Sequence, residues 1–212
     1  MTLFNPLHKA VYNGDVQKVL ELTEAFVKDE TDAALILNEG LIGALDAVGK
    51  EFASGQLFLP EVMLSAHAIH EAMRLLEPHL AAAGVEPRGS VVIGTVKSDQ
   101  HDIGKNIVAM MLRGAGFQVK DLGIDVEPER FVDALQENRY QVVAMSALLT
   151  TSLPWAEKTV RALEDAGVRT QVKVLVGGAV MDQAKAQEMG ADGYAPDAGQ
   201  AADVCKKIMG LL

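Results

Sequence analysis

Val91-Val92-Ile93-Gly94-Thr95-Val96, then Lys97-Ser98-Asp99-Gln100-His101-Asp102-Ile103-Gly104-Lys105-Asn106, then Ile107-Val108-Ala109-Met110-Met111-Leu112, decides how this chain folds. The first run is short, continuous and apolar, as a strand covered on both faces must be. The last run reads as a helix, and the polar stretch between them as the turn that joins the two. This strand–turn–helix pattern recurs downstream. Further strands are expected at Gln118–Asp121, Val142–Ser146, 172–176 and near Gly193-Tyr194, with helices from about Ile103, Pro128, Leu153, Met181 and Asp197. Regular alternation predicts an α/β domain: a doubly wound, five-stranded parallel sheet with right-handed crossovers. The commonest order for such a Rossmann-like sheet is the flavodoxin type, 2-1-3-4-5, with its ligand crevice beyond the carboxyl ends of strands 1 and 3.

Upstream, the pattern changes. Before Ala81-Ala82-Ala83-Gly84-Val85-Glu86-Pro87-Arg88-Gly89 the apolar residues follow helical spacing and no strand is evident. Asn5-Pro6 opens a first helix carrying Leu7, Val11 and Tyr12. Asn13-Gly14-Asp15 turns the chain, with Asp15 as N-cap of a second helix through Val19, Leu20, Leu22 and Phe26. A third helix runs from about Asp32 through Leu35, Ile36, Leu41, Leu45 and Val48 to the turn at Ala53-Ser54-Gly55-Gln56. Pro60 starts a fourth, since proline suits a first helical turn. Four helices with short connections predict an antiparallel bundle. The boundary falls close to Pro87, giving a helical region 1–87 and an α/β region 88–212.

The formal net charge of −10 over 212 residues excludes a nucleic-acid binder, which needs a basic surface, and disfavours an anionic membrane face. No apolar run approaches the roughly 18 residues that span a bilayer. Met1-Thr2-Leu3-Phe4-Asn5 lacks the basic-then-apolar order of a secretory leader, so a cytoplasmic location is expected. A single cysteine, Cys205, excludes both a disulfide framework and a thiolate cluster within one chain. It is expected to be a small buried apolar residue.

The most polar residues at the expected crevice are Asp99 and His101 after strand 1 and Ser146-Ala147-Leu148-Leu149-Thr150-Thr151-Ser152 after strand 3. Gly177-Gly178-Ala179 follows strand 4 and permits close backbone approach. On spacing alone His101 is a metal ligand, a general base or a surface residue. One histidine cannot make a zinc site, but a cofactor that brings its own metal needs only one protein ligand. Such an imidazole must be neutral and oriented through its second nitrogen. Asp99 can accept that N–H if the loop folds back, and Ser152 can hold Asp99. His67 and His70, with His79 further on, are expected to face solvent or an interface. Asp121 and Asp125 invite comparison with a receiver domain, but strand 3 ends in Met145-Ser146 where a receiver places its aspartate.

Asp99-x-His101-x-x-Gly104, then Ser146-x-Leu148, then Gly177-Gly178, resemble the cobalamin-binding domain of corrinoid methyltransferases, including cobalamin-dependent methionine synthase. Phe52 and Leu57-Phe58-Leu59-Pro60-Glu61-Val62 resemble that family's cap bundle, so the likeness covers nearly the whole chain. In length and architecture it is similar to the free-standing corrinoid proteins of methanol, methylamine, glycine betaine and aryl methyl ether methyltransferase systems. The resemblance implies cobalamin or a related corrinoid, used as methylcobalamin and Co(I) cobalamin. His101 would be the lower axial ligand of cobalt, and Asp99 and Ser152 a relay behind it. Gln100, Asp102 and Ile103 would touch the cofactor, and Gly104 would let its nucleotide tail pass. Ser146, Leu148, Thr150, Gly177 and Gly178 would line the tail's slot, with Tyr194, Ala195 and Asp197 at its end. Phe52 and Leu59 would cover the upper corrin face, with Val62 as a further contact, and the connection 84–89 would act as a hinge. The implied function is a methyl carrier, not catalytic alone. It would serve a substrate-specific methyltransferase and a second methyltransferase acting on tetrahydrofolate or coenzyme M, with a reductive activase. A cobalamin-responsive regulator is the alternative, although such proteins usually add a DNA-binding region.

Overall fold

Strands β1 (Ser90–Thr95), β2 (Gln118–Asp121), β3 (Val142–Ser146), β4 (Lys173–Gly177) and β5 (Gly193–Ala195) follow one another in the α/β region, and those with continuous apolar runs, β1, β3 and β4, are the ones buried on both faces. In the computed structural model, which describes residues 3–84 and 86–211, they make one parallel sheet ordered β2-β1-β3-β4-β5. The expected order is therefore the observed one. Val92 pairs with Val143, and Val143 with Val174, so the central rows are valine against valine. β4 starts one residue later than expected, at Lys173 rather than Val172.

Helices α6 (Ile103–Gly114), α7 (Pro128–Glu137), α8 (Leu153–Asp165), α9 (Gln183–Glu188) and α10 (Ala198–Ile208) follow the strands in turn. Phe131 of α7 and Leu163 of α8 are fully buried in the same cluster as Val92, Val143 and Val174. Cys205 on α10 is fully buried as well, and burial pushes its thiol up to about 12. It behaves as the apolar filler expected of it.

The amino-terminal helices are α1 (Asn5–Tyr12), α2 (Val16–Lys28), α3 (Ala33–Leu35), α4 (Gly43–Ala53) and α5 (Leu59–Ala82). Asp15 caps α2 by accepting the Lys18 amide at 3.0 Å, as its position predicts. α5 is opened by Glu61, whose carboxylate accepts the Phe58 amide at 2.8 Å. The third expected helix is not uniform: Ile36–Ile42, between α3 and α4, is wound as a π-helix. The wider turn is bound up with Gly40. A Cβ there would lie 3.0 Å from the Leu7 side chain and 3.1 Å from the Phe4 ring, so the segment presses its backbone against α1. His8 donates from Nε2 to the Glu39 carbonyl at 2.7 Å, on the same stretch. Leu7, Val19, Ile36, Leu41, Leu45 and Ile69 fill the core of these helices.

The chain divides into two compact units. One comprises residues 1–88 with Arg113–Gly116, and the other comprises 89–112 with 117–212. Gly114 belongs to the first unit because it packs directly on Leu45, where an added Cβ would meet Cδ2 at 2.5 Å. Met1, Thr2, Val85 and Leu212 lie outside the described residues, so the expected connection is described only on either side of Val85. Among the described residues no helix is long and apolar enough to cross a membrane.

Candidate functional site

The turn between β1 and α6 folds back on itself. Val96 donates to the Ser146 carbonyl at 3.1 Å, which ties the end of β1 to β3. The fully buried Thr95 hydroxyl then donates to the His101 carbonyl at 2.8 Å. This places Asp99 inside the turn with no exposed surface. A buried carboxylate must be fully hydrogen-bonded to remain ionised. Here Oδ1 accepts from the His101 amide at 3.1 Å and from His101 Nδ1 at 2.7 Å. Oδ2 accepts from the Leu148 amide at 2.7 Å, the Leu149 amide at 3.3 Å and the Ser152 hydroxyl at 2.8 Å. Burial alone would raise the Asp99 pKa. The Leu148 amide, both His101 N–H groups and the Ser152 hydroxyl outweigh it and lower the value to about 2.

The ionised carboxylate in turn fixes the imidazole. Nδ1 faces Asp99 and carries the proton, so Nε2 keeps its lone pair. The His101 side chain is 52% exposed, and Nε2 has no hydrogen-bond partner among the described residues. Ser152, fully buried, completes the line Ser152–Asp99–His101.

His101 borders a cavity of about 520 Å³ at the carboxyl edge of the sheet, inside the α/β unit. Gln100, Asp102, Ile103 and Gly104 stand on one side of it, and Ser146 and Leu148 on another. Gly177, Gly178, Ala195 and Asp197 close the far side. All of these were expected from the sequence. Four expected cofactor contacts of the α/β unit stand apart from the wall: Asp99 and Ser152 are fully buried behind His101, Thr150 is exposed in the turn before α8, and Tyr194 is half-buried against the α/β core. Asp197 also caps α10, accepting the Gln200 amide at 2.9 Å. Phe52, Leu59 and Val62 belong to the helical unit, where Phe52 is half-buried, Leu59 exposed and Val62 fully buried. His67 and His79 are exposed and His70 half-buried on α5.

Sequence reasoning missed three features of the site. The amides of Leu148 and Leu149 hold Asp99, and backbone donors leave no trace in side-chain identity. Lys105 is almost fully buried in the cavity wall, paired with Asp121 and with the Asn106 side chain. Its proximity to the glycine of the motif was the available signal. Asp125 supports the turn from the other side by accepting the Ser98 amide.

The site suits a ligand that carries its own metal. Among the described residues no group of three or more His, Cys, Asp or Glu side chains could hold a bare ion. The one imidazole leaves Nε2 without a partner among the described residues, beside a cavity lined largely by apolar side chains. Gly104 is a second mark of fit, because a Cβ there would meet nothing within 4 Å. The folded chain has no internal use for a missing side chain at that point, and the space stays open beside the cavity. Replacing Gly104 by Leu should leave the ligand-free chain as stable, or up to about 1 kcal/mol more stable. Affinity for cobalamin should fall at least tenfold. Thermal melting and a binding titration check this, and unchanged affinity counts against the placement.

Comparison with known proteins agrees with this chemistry. A family model described as a B12 binding domain matches residues 89–203, and a second of the same description matches residues 3–77. A corrinoid protein of Desulfitobacterium hafniense (strain Y51) is 39% identical over 213 residues, 99% of this chain and 99% of that protein. Dimethylamine corrinoid protein 1 of Methanosarcina acetivorans is 40% identical over 98% of this chain and 97% of its own. A cobalamin-binding protein from Desulfitobacterium hafniense DCB-2 superposes with a TM-score of 0.83 at 30% identity, over 98% of this chain and 99% of that one. A chain of the methanol:cobalamin methyltransferase complex MtaBC from Methanosarcina barkeri gives 0.84 at 28% identity, over 98% of this chain and 80% of that one. With both regions matched by B12-binding models and its whole length aligned to corrinoid proteins, the chain belongs to the corrinoid protein family, and its cofactor is a corrinoid.

Proposed function

We propose that the chain is a methyl carrier that serves two enzymes, a substrate-specific methyltransferase that loads it and a second methyltransferase that unloads it. The observation that carries this reading is the Ser152–Asp99–His101 line, whose half-exposed imidazole borders the cavity with Nε2 unpartnered among the described residues. When bound, the corrinoid supplies a cobalt centre that takes up and gives away a methyl group. His101 would hold the cobalt through Nε2. Asp99 keeps the ring in the tautomer that can ligate by accepting the Nδ1–H hydrogen bond. Ser152 and the Leu148 and Leu149 amides keep Asp99 ionised. Gly104 leaves room for the cofactor's tail and Gly177 and Gly178 line the same cavity, while Phe52, Leu59 and Val62 enter this reading only through the family resemblance.

A loading enzyme is supported by the MtaBC match, since that structure is a methyltransferase complex. Relatives named for dimethylamine make a methylamine the first donor to assay, before methanol, betaines and methoxyaromatics. Tetrahydrofolate and coenzyme M are the acceptors to compare, and a reductive activase is the expected accessory. The ligation is tested by loading the chain with cobalamin and recording its visible spectrum. His101→Ala should abolish the spectral signature of the protein-ligated form while barely moving the melting temperature, because the ring is half exposed. An unchanged spectrum refutes the role given to His101.

A further inference from the structure

Three non-glycine residues among those described have left-handed backbone: Glu30, Ser98 and Asp125, with φ of 55°, 64° and 53°. Two of the three touch each other beside the site. Asp125, in the connection between β2 and α7, accepts the Ser98 amide on Oδ1 at 2.8 Å. Its own amide donates to the Asp99 carbonyl at 3.0 Å. One residue therefore grips the dipeptide Ser98-Asp99 at both ends, by the N–H that enters it and the C=O that leaves it. Left-handed conformations persist in such residues only when their surroundings fix them.

The grip is itself anchored. The Thr95 amide donates to the Gly123 carbonyl at 3.0 Å, the Val126 amide donates to the Thr95 carbonyl at 3.0 Å, and Val96 bridges Val126. Lys97 Nζ lies 3.3 Å from Asp125 and 3.0 Å from Glu127. Asp99 is thus clamped from two sides. The amides and hydroxyl of the turn before α8 hold its carboxylate, and Asp125 holds its main chain. The first clamp cannot aim the carboxylate at His101 Nδ1 unless the second fixes where Asp99 starts.

We propose that Asp125 is a positioning residue for the cobalt-ligating histidine, setting the Ser98-Asp99 backbone so that the Asp99 carboxylate meets His101 Nδ1. This rests on the role proposed above for His101. Two substitutions separate the side chain from the backbone. Asp125→Gly tolerates the left-handed conformation but removes the acceptor for the Ser98 amide. Asp125→Asn keeps both that conformation and an acceptor oxygen, and loses only the charge facing Lys97.

In the ligand-free chain, the ¹⁵N shifts of the His101 ring report which nitrogen carries the proton. Asp125→Gly should raise the tautomer protonated on Nε2 several-fold, while Asp125→Asn stays close to the parent. With cobalamin, Asp125→Gly should bind roughly tenfold more weakly, the lower end for loss of an outer-shell partner of a metal ligand, and Asp125→Asn within about twofold. A glycine variant with parent ring shifts overturns the proposal. So does an asparagine variant as impaired as the glycine one, since the pairing with Lys97 would then be what matters. His101→Ala with an unchanged cobalamin spectrum would refute the ligation instead, and leave the ring shifts to judge Asp125.

Discussion

Replacing Asp99 by Asn is expected to disable the site and to destabilise the folded chain by about 2–3 kcal/mol, although the two side chains have the same shape. The carboxylate accepts five hydrogen bonds and donates none. An amide offers one acceptor oxygen. If that oxygen stays with the Leu148 and Leu149 amides and Ser152, the NH₂ faces the His101 amide, donor against donor. The NH₂ also faces Nδ1, which can meet it only as an acceptor. The ring proton then moves to Nε2 and removes the lone pair a metal needs, the same logic by which an aspartate sets the tautomer in a catalytic triad. Chemical denaturation of the ligand-free chain and the visible spectrum of the cobalamin-loaded chain measure the two effects. A variant equal to the parent in both would overturn this account of Asp99.

The same residue makes stability depend on pH. Its carboxyl is lowered from 3.8 to about 2 in the folded chain. The associated stabilisation is fully present above the unfolded value near 4 and is lost as pH falls through it towards 2. At about 1.4 kcal/mol per unit it amounts to roughly 2 kcal/mol. Acid titrations of unfolding should show this component in the parent chain and lack it in the Asp99→Asn variant.

The second large effect is expected at Gly178, where alanine should cost at least about 3 kcal/mol. The residue has φ of +119°, and an ideal Cβ there would lie 2.0 Å from the Ala147 carbonyl oxygen and 2.6 Å from its carbon. Both are backbone atoms, so no rotamer change relieves the clash. Ala147 cannot yield easily, because its amide donates to the Gly177 carbonyl at 3.0 Å and it is fully buried. Leu148, the next residue, supplies the shortest amide contact to Asp99. A shift of Ala147 would therefore reach the histidine through Leu148. Melting should fall by roughly 6–12 °C. A variant that melts with the parent would show that the turn has slack the contacts deny it.

The central strands were legible because they are buried on both faces and leave continuous apolar runs, as at Val91 to Val96 and 142–146. The π-wound segment was not legible. Leu35, Ile36, Leu41 and Leu45 satisfy an ordinary helical stripe, and only the contact of Gly40 with Phe4 and Leu7 shows the wider turn. The grouping of Arg113–Gly116 with the helices was equally hidden, since it depends on packing against Leu45 rather than on chain order. At the site, side chains that act through their own chemistry, Asp99, His101 and Ser152, could be named in advance. The amides of Leu148 and Leu149 could not, because every residue has one. Asp125 was noticed for an unrelated resemblance, and its work depends on a backbone angle that side-chain patterns do not record.

The parallel order of the sheet has an electrostatic consequence. Because each crossover helix follows its strand, α6, α8 and α10 all begin at the same edge, after β1, β3 and β5. Each helix amino end carries roughly half a positive charge in its unpaired amides. At α6 and α10 that charge meets carboxylates of the chain itself, Asp102 and Asp197 in the cavity wall, and offsets part of the net charge of −10 at that edge.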